Sequence, residues 1–140
     1  MPPKPSSLSD REIAQVVDEL APLLAGAPVG KVWEQAGHTL TLEVGRQALV
    51  LSAHPRASRL HPTLPGDERG EPTSFARLLR KRLGGLRLER LRVTTPGERI
   101  VALEFGAGRD RLVAELTGPH ANVFLLAADR SIVASLRPSS

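Results

Sequence analysis

From residue 29 onward the apolar side chains recur at every second position in short runs, and one stretch, 75–83, breaks that alternation with a period of three to four. Period two marks a strand with one buried face, and period 3.6 marks an amphipathic helix. Strand and helix do not alternate, so nothing supports a parallel sheet, and antiparallel strands become the framework. Ahead of them, Ile13, Val16, Val17, Leu20, Leu23 and Leu24 recur at helical spacing, with Ser9 or Asp10 placed to cap the helix and Gly26 to stop it.

The strands expected from this pattern are 29–34, 39–44 and 47–52, then 86–94, 99–106, 111–116 and 121–127, with a last short one at 131–136. Residues 53–73 are rich in Pro and Gly and read as a loop, with Leu64-Pro65-Gly66-Asp67 turning at its tip. Thr73 or Ser74 caps the helix 75–83, which turns Phe75, Leu78, Leu79 and Leu83 inward and Arg77, Arg80 and Lys81 outward. In 86–94, Leu86 and Leu88 are out of phase with Leu91 and Val93, which predicts a bulge near Glu89-Arg90. No internal repeat is visible. The order helix, three strands, helix, four or five strands is α+β, with an antiparallel sandwich or barrel flanked by helices. One domain spans 10–137, between an unstructured tail at 1–9 and a short one at 138–140.

Composition removes several functions. The 140 residues contain no cysteine, which excludes a disulfide framework and a cysteine metal site. No run of about 18 apolar residues suggests a membrane span, and the N-terminus lacks the apolar core of a secretory signal. Of the 19 basic residues, 16 are arginine, whose planar fork of donors suits phosphate. They concentrate: residues 77–92 hold six Arg and one Lys against Glu89 alone, the footprint of a polyanion contact.

Catalytic signals are thin. His54 and His61 share a stretch, but no third ligand stands at metal spacing, and no His-Glu-x-x-His exists. No serine sits in a Gly-x-Ser-x-Gly elbow. Pro2, a candidate amine nucleophile, is followed by Pro3 and Lys4 rather than a glutamate. No cofactor or metal is expected.

Five pieces, in order, carry a resemblance. They are Asp18-Glu19-Leu20 with Leu24, Gly26 and Lys31-Val32; Leu51-Ser52-Ala53-His54-Pro55 with Arg59-Leu60-His61 and Thr63; Phe75, Leu78-Leu79-Arg80-Lys81, Leu83 and Gly85; Glu98-Arg99-Ile100-Val101; and Glu115-Leu116, Gly118, His120, Asn122-Val123 and Leu125. Over about residues 11–137 the chain resembles the N-terminal domain of the NFACT family, also called fibronectin-binding protein A-like. The resemblance implies a fold similar to the N-terminal domain of MutM-like DNA glycosylases.

It also implies a cytoplasmic RNA-binding domain of ribosome-associated quality control. Such a domain binds tRNA and the large ribosomal subunit and supports template-free C-terminal tailing of stalled nascent chains. Glu98 and Arg99 would then engage tRNA, with Glu98 standing where the family usually has Asp. Arg56, Arg59, Arg77, Arg80, Lys81 and Arg82 would contact RNA phosphates, and Lys31, His54, His61, His120 and Asn122 are further motif positions. The scarcity of aromatics favours backbone and shape recognition over base stacking. The family's further domains are not in these 140 residues, so a separate chain supplying them is an expected partner. The alternatives are a protein-interaction or nucleic-acid-binding module without tailing and, remotely, a degenerate glycosylase-like enzyme.

Overall fold

A computed structural model describes residues 7–64, 70–71 and 73–138. Helix α1 (Asp10–Leu24) is followed by strands β1 (Val29–Gln35), β2 (Thr39–Val44), β3 (Gln47–Ser52) and β4 (Arg59–Thr63). Helix α2 (Ser74–Leu83) leads into β5 (Leu88–Val93), β6 (Ile100–Phe105), β7 (Asp110–Glu115), β8 (Asn122–Ala127) and β9 (Ile132–Ser135). Each set of strands is an antiparallel meander, one sheet ordered β1-β2-β3-β4 and the other β5-β6-β7-β8-β9. Both sheets are open, so of the two expected closures the barrel does not form. Leu40, Leu42, Leu49, Leu51 and Leu60 from the first sheet and Val101, Leu103, Leu112, Val123 and Leu125 from the second belong to one core. Each such side chain withdrawn from water stabilises by about 1.5–3 kcal/mol.

The helices close the flanks. Ser9 caps α1 in a capping box with Glu12, and Ile13, Val17, Leu20 and Leu24 pack inward toward β5 and β4. Thr73 caps α2, whose Phe75, Ala76, Leu79 and Leu83 are buried against β1. The N-terminal end of α2 also lines a cleft with Ala134 of β9 and Leu136 just after it.

One strand was hidden. β4 lies inside the stretch expected to be a loop, and it pairs with β3 from Ser52↔Arg59 to Ala48↔Thr63. Only Leu60 of its five residues is buried, and Pro62 withholds a donor, which an edge strand tolerates. The order is therefore helix, four strands, helix, five strands. The expected bulge in β5 is present between Leu88 and Arg90. The expected turn tip at 64–67 falls largely outside the described residues, as do 1–6 of the N-terminal tail. Ser7 and Leu8 are held to the fold, since the Ser58 N–H donates to Ser7 Oγ and the Leu8 N–H to Ser58 O.

A repeat unseen in the sequence appears in the backbone. α1 ends at Ala25 (φ −58°, ψ 127°) and α2 at Gly84 (φ −55°, ψ 127°). Each is followed by a glycine at positive φ, Gly26 at 83° and Gly85 at 81°. The two junctions then bond to each other reciprocally: Val29 N–H to Leu86 O and Leu88 N–H to Ala27 O, both 2.9 Å. Gly26 N–H donates to Leu88 O as Gly85 N–H donates to Val29 O. β1 and β5 are both bulged after their first residue pair. The two halves thus follow one plan about a local two-fold.

Candidate nucleic-acid interface

Three segments that the resemblance singled out meet at one end of the sandwich. The first follows β3. Ala53 N–H donates to His38 O at 2.7 Å, and His54 Nδ1 accepts the Arg56 N–H at 3.0 Å, closing a turn around Pro55. That bond leaves the proton of the neutral His54 ring on Nε2. Ala57 and Ser58 are then buried, while Arg56 is exposed.

Ser58 holds the third segment, the turn at 116–121, to this loop. Its hydroxyl donates to Leu116 O at 3.2 Å and accepts the Gly118 N–H at 3.3 Å. Leu116 N–H in turn donates to Arg99 O at 2.7 Å. A buried hydroxyl with its partners in place fixes its surroundings, because leaving those partners unmade is costly. Ser58 thereby sets loop 53–58 and the turn at 116–121 in register, and the Leu116–Arg99 backbone bond ties the 98–101 motif to that turn. Glu98 is exposed at the tip of the β5–β6 turn, and Arg99 is half-buried beside it.

Arg137 completes this end. Its Nη1 donates to Ala53 O (3.2 Å) and Ala121 O (2.8 Å), joining the loop after β3 to the start of β8. Asn122 Oδ1 accepts the Arg137 N–H (2.8 Å), and Asn122 Nδ2 donates to Arg137 O (3.0 Å). Pro119, His120, Asn122, Phe124 and Arg137 line a shallow cleft of about 310 Å³. On the neighbouring corner the His38 and His54 rings meet edge to face at 4.7 Å. Burial lowers the pKa of His38 first, and the charges of His54 and Arg137 lower it further. A wider cleft of about 670 Å³ beside His38 is lined by Glu34, Glu71 and Thr73.

The other expected contact residues do not all join this end. Arg77 and Lys81 are exposed on α2. Arg80, expected outside, turns in: its guanidinium lies 4.3 Å from the Trp33 ring centre, and its Nε donates to Val32 O at 2.9 Å. Arg82 is bound to Asp110 at 2.5 Å, and Asp110 pairs with Phe105 at the opposite end of β6 and β7. Five residue steps separate it from the Ile100↔Glu115 pair near Arg99, roughly 17 Å. Arg59 opens edge strand β4 beside Ser58 and pairs with Ser52, so it does stand at this end, whereas His61 lies two residues farther along β4 and Lys31 is exposed in the β1 bulge, its N–H on Glu43 Oε1.

Sequence reasoning missed His38 and Arg137. Neither lies in a motif, and Arg137 sits in a polar C-terminal run where only the fold reveals its two carbonyl partners. Among the described residues, no carboxylate pairs with Arg56, Arg99 or Arg137, and no three His, Asp or Glu side chains group to hold a metal. No helix among them is long and apolar enough to cross a membrane.

A family model described as NFACT N-terminal and middle domains matches residues 12–140. No curated protein matches the sequence. Solved structures that share the fold include three proteins. The fibrinogen-binding protein of Staphylococcus aureus is 24% identical with a TM-score of 0.81, and 94% of this chain covers 51% of that one. The N-terminal domain of fibronectin-binding protein PavA from Streptococcus pneumoniae is 24% identical with a TM-score of 0.82, over 94% and 54%. The N-terminal part of the fibronectin/fibrinogen-binding protein of Streptococcus suis is 23% identical with a TM-score of 0.85, over 96% and 55%. The chain thus spans about half the length of these relatives.

Proposed function

The chain belongs to the NFACT N-terminal domain family, and from that premise we propose that the end of the sandwich bearing His54, Arg56, Glu98, Arg99, His120 and Arg137 binds RNA. One observation carries the reading. Three separate family-motif segments are held together, 53–58 to 116–121 by Ser58 and Arg137 and 98–101 to 116–121 by the Leu116–Arg99 backbone bond, and the cations around them have no carboxylate partner among the described residues. Phosphate is the natural counter-charge for such a group, and arginine forks bind it in two-point fashion.

In this reading tRNA lies across the end, with Glu98 and Arg99 on it and Arg56 on its backbone. Exposed Arg77 and Lys81 extend the contact toward the large ribosomal subunit. Arg80 and Arg82 serve the fold first. The domain works by binding rather than catalysis, in the cytoplasm. It supports template-free tailing of stalled chains by holding tRNA, together with the remaining family domains, on this or a separate chain.

The test is a titration of fluorescent bulk tRNA and of purified large subunits with the protein at several salt concentrations. Arg56→Glu with Arg99→Glu should weaken binding at least about tenfold and flatten the salt dependence. Arg46→Glu, an exposed change at the β2–β3 turn, should leave both unchanged. Equal affinity of the double variant and the native chain would end this placement of the RNA.

A further inference from the structure

The outer face of the second sheet is divided into two zones. Directly opposed residues share a face, and one row crosses the strands as Arg90, Glu104, Arg111, Leu126 and Ile132. The next row reads Arg92, Ala102, Val113, Phe124 and Ser135. The β5–β7 side is therefore cationic. Arg111 binds Glu104 at 2.8 Å, while Arg92 and Arg90 stand 3.5 and 3.6 Å from the same carboxylate. Three guanidinium groups on one carboxylate leave two positive charges, and Arg90 is 67% exposed. The β7–β9 side is apolar: Val113, Phe124 and Leu126 are half-buried, and Ile132 is 66% exposed. Sequence reasoning grouped Arg90 and Arg92 with the α2 arginines, but the fold sets them on this separate face.

We infer that this face docks an amphipathic helix of another protein, with its apolar stripe on Val113, Phe124, Leu126 and Ile132 and acidic residues along the flank over Arg90, Arg92 and Arg111. The dimensions match. Five strands span roughly 19 Å, and a helix with its side chains is about 10–12 Å across. Seated over β7–β9, it brings one flank above the arginines. Charge complementarity selects the occupant: RNA would use the guanidinium groups and leave Leu126 and Ile132 without a partner. Glu104 holds Arg111 in place, so little side-chain order is lost on docking.

The experiment uses the isotope-labelled chain and a synthetic helical peptide of about 18 residues, with leucines in one stripe and glutamates on its flanks. Amide shifts should gather at Arg111–Val113, Phe124–Leu126 and Ile132. Arg90→Glu and Ile132→Ser, both at exposed positions, should each weaken the complex by about three- to tenfold without unfolding the domain. The same peptide with lysines for glutamates should bind at least about tenfold less tightly. The proposal is overturned if shifts fall elsewhere or are absent, or if the lysine peptide binds as well. It is also overturned if bulk tRNA moves these amides and displaces the peptide, or if raising the protein concentration alone reproduces the shifts.

Discussion

The two halves of this domain share a backbone and differ in what they hang on it. Gly26 and Gly85 terminate their helices with φ within 2° of each other, and the bonds that follow are exchanged in reciprocal pairs. Yet the Ala21 carbonyl accepts the Ala25 N–H at the first junction where the Arg80 carbonyl accepts the Gly84 N–H at the second, and only the Arg80 side chain reaches across to stack on Trp33. Ser58 and Ala121 stand just ahead of β4 and β8 and are both fully buried, but only Ser58 carries a hydroxyl into the other half. The repeated part is the scaffold, fixed by turns and bulges. The unrepeated side chains join the halves at one end and build the surface proposed to bind RNA.

The largest effect is expected where that asymmetry is removed. Ser58→Ala makes the first half resemble the second, and it strands Leu116 O and the Gly118 N–H in a buried place. A loss of about 2–3 kcal/mol of stability should follow, read by denaturant unfolding. Loop 116–121 should lose its order with it, and tRNA affinity should fall even though no RNA-facing group has changed. A stable variant that binds tRNA normally would mean the three segments are positioned independently of Ser58.

A smaller effect probes the symmetry itself. A Cβ on Gly26 or Gly85 would meet nothing within 4 Å, so Gly26→Ala and Gly85→Ala test backbone conformation alone. Each should cost about 1 kcal/mol, the penalty of the left-handed region for an L-residue. The two losses should agree closely in thermal unfolding. A large inequality would show that one junction carries far more of the fold than the other.

Much of this was legible in residue patterns. The alternation in 39–44 sets Leu40, Leu42 and Val44 on one face and Thr39, Thr41 and Glu43 on the other, and the structure keeps those faces. The β5 bulge was legible because a bulge shifts phase, and phase is visible in Leu88 and Leu91. β4 was not, since one buried leucine beside a proline makes no pattern. The internal two-fold was not either: it lives in φ, ψ and bulge positions, which different side chains satisfy equally well. At the site, motif order placed His54, Arg99 and His120 without showing that they share an end. The inward turn of Arg80 was hidden because helical spacing shows which side of α2 a residue occupies, whereas Trp33 is contributed by another strand.

The smallest effect concerns His38, whose structural counterpart at the start of β6 is Arg99: Ala53 N–H bonds His38 O as Leu116 N–H bonds Arg99 O. Where that half has an arginine, this one has a histidine, the side chain whose charge changes near neutral pH. Its folded pKa lies below the ordinary 6.5 through burial, His54 and Arg137. The unfolded chain therefore binds more protons between that lowered value and 6.5, so stability rises with pH through this window and declines as pH falls below 6.5. A phosphate bound at this corner would reverse the preference, supplying a negative charge that favours protonated His38. Binding then takes up a proton, and tRNA affinity should rise as pH drops from about 7.5 toward 6, by no more than roughly tenfold per unit for one proton. His38→Gln should flatten that rise and leave affinity at the upper pH intact. A native affinity that is level across this range would place the bound phosphate away from the histidine corner and closer to Glu98 and Arg99.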